Sequence, residues 1–193
     1  MKVGGGQTDL KALECGSLSI VVNERRVRGG GDMGKKSAGL LMYRRRNRAL
    51  EVLLVHPGGP FWAKKDAGSW SIPKGEYTPE EDPFGVAKRE FLEETGFEAS
   101  GEFKPLTPLR QPSGKIITSW AFEGDCDASS AKSNSFTMEW PPRSGKQQAF
   151  PEVDRAEWFS IPMAKEKIIE GQAGFLDELT QILTKDIVND PEK

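Results

Sequence analysis

Apolar residues along this chain switch between two spacings, and each switch marks an element. From residue 37 onward, stretches rich in β-formers at 40–44, 50–56, 116–122 and 157–159 are separated by turn residues and predict strands. Near the C-terminus, Phe175, Leu176, Leu179, Ile182 and Leu183 recur with helical period, predicting an amphipathic helix that covers a sheet. A second helical stripe, Phe84, Ala87 and Phe91, falls between the strands. Asp82 is placed to cap that helix, with Pro83 at its first position and Gly96 to end it in a left-handed conformation. Thr78 and Glu81 offer a capping box as an alternative start. Strands interleaved with helices in this order predict an α/β fold, a mixed sheet between helices in an α/β/α sandwich.

Two segments lack either period. Residues 1–36 are glycine-rich, with GGG at 4–6 and 29–31 and one short apolar patch at 18–22, and are expected to be a flexible N-terminal extension to a domain spanning 37–193. Met33, directly before the first strand-like run, is a candidate natural start of translation, which intact mass from the native cell would test. Residues 125–151 are polar and proline-punctuated and are expected to form a long irregular loop, where Phe136 and Trp140 either stack on a nucleobase or pin the loop to the core.

Length and charge narrow the classes. The 193 residues suit one domain, and a net charge of −2 argues against general nucleic-acid binding through a basic surface. Arginines at 25, 26, 28 and 44–46, with Lys35 and Lys36, form a local basic cluster that reads as solubilising charge. The two cysteines, Cys15 and Cys126, make neither a disulfide framework nor a metal motif, and a reducing cytoplasm is expected. No apolar run approaches membrane-spanning length. Pairing into a homodimer stays open.

Chemistry enters through the second helix face. With about 100° per residue, Glu90, Glu93 and Glu94 project within an arc of about 100° beside the apolar stripe. Crowded carboxylates repel unless a divalent cation joins them, and hard oxygen ligands suit Mg²⁺, with Mn²⁺ as the alternative.

The wider pattern is Gly75, Glu81, Arg89-Glu90, Phe91, Glu93-Glu94, Gly96 and Phe97 at gaps that match G-x5-E-x7-R-E-U-x-E-E-x-G-U throughout, where U is a bulky apolar residue. The chain thereby resembles the Nudix hydrolase superfamily. Around this box, the run from His56 to Trp62 and that from Ser69 to Glu76 are similar to a bacterial subgroup predicted to act as NTP pyrophosphohydrolases, near the diadenosine polyphosphate hydrolases. The resemblance implies metal-dependent hydrolysis of a diphosphate linkage in a nucleoside diphosphate derivative. Dinucleoside polyphosphates and nucleoside triphosphates lead among substrates; RNA 5′-end processing and non-catalytic nucleotide sensing are the alternatives. It also implies Glu90, Glu93 and Glu94 as metal ligands, joined by a carbonyl of Lys74 or Gly75, with Glu94 or the late acid Glu152 as general base. Asp154 and Glu157 are weaker candidates for that late acid. Arg89 is expected to orient the carboxylates through a bidentate pair, and Glu81 to support the loop. Lys74, Lys64, Lys65 and Arg110 are candidate phosphate contacts. His56, the one histidine, is either a structural turn residue or a phosphate or proton contact.

Overall fold

The computed structural model describes residues 35–189. The expectations for the N-terminal extension, Met33, Cys15 and the arginines at 25, 26 and 28 lie outside the described residues.

Strand β1 (Lys36–Arg46) alternates its side chains between two cores, which is why its sequence reads as an almost continuous apolar run. Leu41 and Tyr43 enter one core; Ala38, Leu40 and Met42 enter the other. Antiparallel β2 (Ala49–Pro57) follows through a tight turn in which Asn47 and Arg48 adopt positive φ. Strand β3 (Lys74–Glu76) pairs antiparallel with the start of β1. Helix α1 (Pro83–Thr95), β4 (Phe103–Arg110) and β5 (Ile116–Glu123) come next, and β5 runs parallel to β1. A hairpin of β6 (Ser135–Glu139) and β7 (Gln147–Pro151) precedes β8 (Val153–Ser160), α2 (Ile161–Lys167) and α3 (Ala173–Asn189). The main sheet has the order β4-β5-β1-β2-β8, with β3 attached to β1. It is mixed, as expected.

Helix α1 packs on one face through Val86, Ala87 and Phe91. Phe91 meets Phe122 edge-on at 5.3 Å, and Phe84 meets Phe103 at 4.9 Å. A fully buried side chain such as Phe91 contributes about 1.5–3 kcal/mol. On the opposite face, Phe175, Leu176, Leu179 and Leu183 of α3 pack on Leu41, Ile117 and Ile72, so the layers are α/β/α. No described helix is long and apolar enough to cross a membrane.

Sequence patterning misplaced two regions. Strand β4 escaped notice because Pro105 and Pro108 interrupt it; the chain tolerates them on an edge strand with an irregularity between Leu106 and Leu109. The loop expected at 125–151 is instead a 3₁₀ turn (Ala128–Ser130) followed by the β6–β7 hairpin, with the Phe136 and Phe150 rings 6.0 Å apart across the strands.

Candidate functional site

Asp82 caps α1: its carboxylate accepts from the backbone of Phe84 at 3.3 Å and of Gly85 at 2.8 Å. Pro83 follows, and Gly96 closes the helix at φ 77° with its N–H on Leu92 O at 2.7 Å. Glu81 Oε2 accepts from Thr78 N at 2.8 Å, the glutamate half of the alternative capping box, but this closes a turn ahead of the helix, whose cap is Asp82. These ends fix the rotation of the helix, and the buried stripe turns its acidic flank toward β3 and the start of β8.

Arg89 organises that flank. Its guanidinium lies 3.3 Å from Glu81, 3.0 Å from Glu90 and 3.9 Å from Glu93, three separate ion pairs in place of the expected bidentate one. Gly75 sits against Glu90: a Cβ there would stand 1.9 Å from the Glu90 carboxyl carbon. Glu94 accepts the backbone N–H of Lys74 at 3.0 Å.

Burial pushes the Glu94 carboxyl up to about 8, against the opposing pull of Lys74, with Glu90 and Glu152 repelling it further. The residue keeps some surface on a cleft. Burial raises Glu90 as well, with Arg89 opposing and Glu93 adding repulsion. Glu152 is raised by burial and then by Glu90 and Glu93. Four carboxylates from α1 and the entry to β8 therefore repel one another at one place. All are hard oxygen donors, the chemistry Mg²⁺ or Mn²⁺ accepts. Among the described residues no three such side chains are closed around one point, and Glu90 and Glu93 are paired with Arg89.

The other candidates fall into three groups. Lys74 is buried beside the acids, and Glu152 faces them, held by its backbone N–H on Asn134 O and by its carbonyl accepting from Gly58 N, both 2.8 Å. His56 does not face a substrate. It is fully buried, with Nδ1 2.6 Å from Asp154 Oδ1 and Nε2 2.9 Å from Lys65 O, so its polar atoms are consumed in joining β2, β8 and the 58–68 loop. Asp154 is likewise committed, to His56 and Arg155. The remaining cations lie on the surface: Lys64 and Lys65 on the exposed loop, with Lys65 over the Trp62 ring, and Arg110 at the end of β4. Phe136 lies against Gly59, and Trp140 at the hairpin tip meets the exposed Phe61 edge-on at 5.4 Å. A cleft of about 420 Å³ opens beside Glu94, lined by Ser129, Ser133, Val153, Glu157 and Trp158.

Sequence reasoning passed over Glu76 and Lys115, which pair at 3.1 Å next to the box glycine. A lysine following Ser113-Gly114 carries no periodic signal, and only the parallel pairing of β5 with β1 brings it to β3.

The NUDIX domain family model matches residues 33–179. Among solved structures, an Ap4A hydrolase from C. elegans in a binary complex is similar with a TM-score of 0.52 at 20% identity, over 79% of this chain and 99% of that one. The NUDIX domain of Shewanella oneidensis NrtR, complexed with ADP ribose, gives 0.53 at 13% identity, over 77% and 87%. At such identities the likeness is one of fold.

Proposed function

The chain belongs to the Nudix family, a pyrophosphohydrolase of nucleotide derivatives, and from that premise we propose that it is Mg²⁺-dependent and prefers dinucleoside polyphosphates or nucleoside triphosphates. The observation that carries the metal dependence is the gathering of Glu90, Glu94 and Glu152 at one place, where burial raises each carboxyl and mutual repulsion raises it further.

In this reading, Glu90, Glu93, Glu94 and Glu152 hold the cation, with the carbonyl of Lys74 or Gly75 completing the oxygen set. When bound, Mg²⁺ neutralises phosphate oxygens and orients water in line with phosphorus. Arg89, paired with Glu81, Glu90 and Glu93, would orient these carboxylates. Glu94, beside the backbone of Lys74 and the other acids, is placed to act as general base, since its ionised carboxylate would accept the proton of attacking water. The Lys74 ammonium offsets charge on the acids and on substrate phosphates. Phe136, or the Phe61 and Trp140 pair, offers a flat apolar surface to a base. The domain boundary at about residue 37 and a cytoplasmic location belong to the same proposal.

The decisive experiment compares wild type and Glu94→Gln on a panel of nucleotide diphosphate derivatives with Mg²⁺ and with EDTA, identifying products by chromatography. Wild type should turn over only with the metal, and the variant should lose about 10²–10⁴-fold of that rate. Turnover in EDTA would refute metal dependence, and an active variant would remove Glu94 from catalysis.

A further inference from the structure

Strand β3 has a second face, away from α1. In register, Lys74 and Ser119 flank Gly39, and Glu76 and Ile117 flank Ser37, so these side chains share one side of the sheet with Leu41 and Ile117 of the α3 core. Lys74 and Ser119 are thus two strand spacings apart, about 10 Å, with a glycine between. A Cβ on Gly39 would stand 2.7 Å from Lys74 Cβ, so the lysine stem occupies the space the glycine leaves. From the other side, Lys115 reaches across β1 to Glu76 at 3.1 Å and roofs Ser37. Gln172, in the 3₁₀ turn Glu170–Gln172, closes the layer: its Oε1 accepts from Ile72 N at 3.0 Å, two residues before Lys74. Gln111 packs on Gly171 and brings the β4–β5 turn against the same place.

Three buried polar atoms in this layer have no hydrogen-bond partner: Ser37 Oγ, Ser119 Oγ and Gln172 Nε2. All three residues are fully buried. Leaving one such atom unmade costs about 1–3 kcal/mol, so three together on one face of one sheet are costly without an occupant. Each can donate. The two buried ammoniums are also donors only, and they repel each other: Lys115 is pushed down by burial and by Lys74, while Glu76 is its one carboxylate partner in the layer and is shared with Lys35 at 3.5 Å. Across the strand, Glu94 and Glu90 act on Lys74. The three unpartnered atoms can all donate, and an acceptor-rich anion would satisfy them together.

We propose that Lys74, Lys115, Ser37, Ser119 and Gln172 form a phosphate-binding site on the face of β3 opposite the acidic flank, occupied by a tetrahedral oxyanion, either free phosphate or the terminal phosphate of a nucleotide. Lys74 joins the two faces, with its N–H on Glu94 and its side chain in the oxyanion site.

The test uses the full chain in EDTA, where no metal-dependent turnover intervenes, so its outcome is separable from the catalytic reading. Inorganic phosphate is titrated by calorimetry and by thermal unfolding against chloride at equal ionic strength, for wild type, Lys115→Met and Ser119→Ala. Wild type should show saturable stabilisation; Lys115→Met should weaken binding about tenfold or more and Ser119→Ala by several-fold. In phosphate-free buffer Ser119→Ala should unfold no lower than wild type, because the hydroxyl it removes is unpartnered. A parallel titration with adenosine 5′-monophosphate assigns the source: competition with phosphate, lost in the same variants, marks a nucleotide's phosphate, and inertness marks free phosphate. No saturable response, an equal response in all three proteins, or a Ser119→Ala protein destabilised without phosphate would each overturn the proposal, the last because the layer would then be a water pocket.

Discussion

Replacing Gly75 by alanine isolates the geometry of one carboxylate. The φ of Gly75 is not positive, so alanine is compatible with the backbone, and the β3–β1 pairing at Gly75 and Ala38 does not involve its side chain. The new methyl would stand 1.9 Å from the Glu90 carboxyl carbon and 2.1 Å from Oε2, where ordinary contact begins near 3.4 Å. Glu90 must therefore retreat by about 1.5 Å. A misplacement of about 1 Å at a reacting centre costs on the order of 10²-fold, or about 2.7 kcal/mol of transition-state stabilisation. The expected protein is folded, with a Tm within a few degrees of wild type, a weaker Mg²⁺ dependence and roughly 10²-fold less turnover of a dinucleoside tetraphosphate. Because Glu90→Asp shortens the side chain by one C–C bond, about the same 1.5 Å, the double variant Gly75→Ala/Glu90→Asp should recover part of what the single variant loses. The assays are Mg²⁺-dependent product release, Mg²⁺ titration and thermal unfolding. Full activity in Gly75→Ala, or a double variant worse than both singles, would refute the claim that the missing side chain at position 75 sets the Glu90 carboxylate.

Other expectations follow from the same contacts. In EDTA, stability should fall as pH rises: a Glu94 carboxyl held up to about 8 stabilises the fold fully below its unfolded value of about 4.3 and loses that contribution through about 8. Mg²⁺ should consequently raise Tm more at pH 8.5 than at pH 6, and an equal increment at both would count against these acids as ligands. His56→Phe should destabilise by about 2 kcal/mol or more by leaving Asp154 and the Lys65 carbonyl unpaired, yet leave KM nearly unchanged; a selective rise in KM at unaltered Tm would return His56 to the substrate. Asp82→Ala should cost about 1 kcal/mol, lowering Tm by about 2–4 °C, and the absence of any shift would show that the cap is dispensable.

How much was legible in the chain depends on whether the signal was local. The end of helix α1 was readable to the residue and its start to a choice between Asp82 and Thr78, because these signals act within a turn of where they stand, and the acid face followed from angular spacing alone. Strands β1 and β2 were readable because they are buried on both sides. The edge strand β4 and the β6–β7 hairpin were not, because their side chains alternate weakly and prolines interrupt β4. The role of His56 turned on Asp154, 98 residues away, and no periodicity reports such a pairing.

The same distinction explains what β3 adds. Three residues, Lys74, Gly75 and Glu76, look in sequence like an entry to the box and nothing more. Because a strand alternates, Gly75 faces α1 and admits the Glu90 carboxylate, while Lys74 and Glu76 face the other side of the sheet, where Glu76 meets Lys115. A helix in this position would turn successive residues by about 100° and could not present a bare backbone to the acids and paired side chains to the opposite layer. The extended conformation at 74–76 is thus what would allow one segment to serve the proposed cation on one side and the proposed oxyanion on the other. It also predicts that side-chain substitutions at 75 will register in metal dependence, while those at 115 and 119 will register in oxyanion binding.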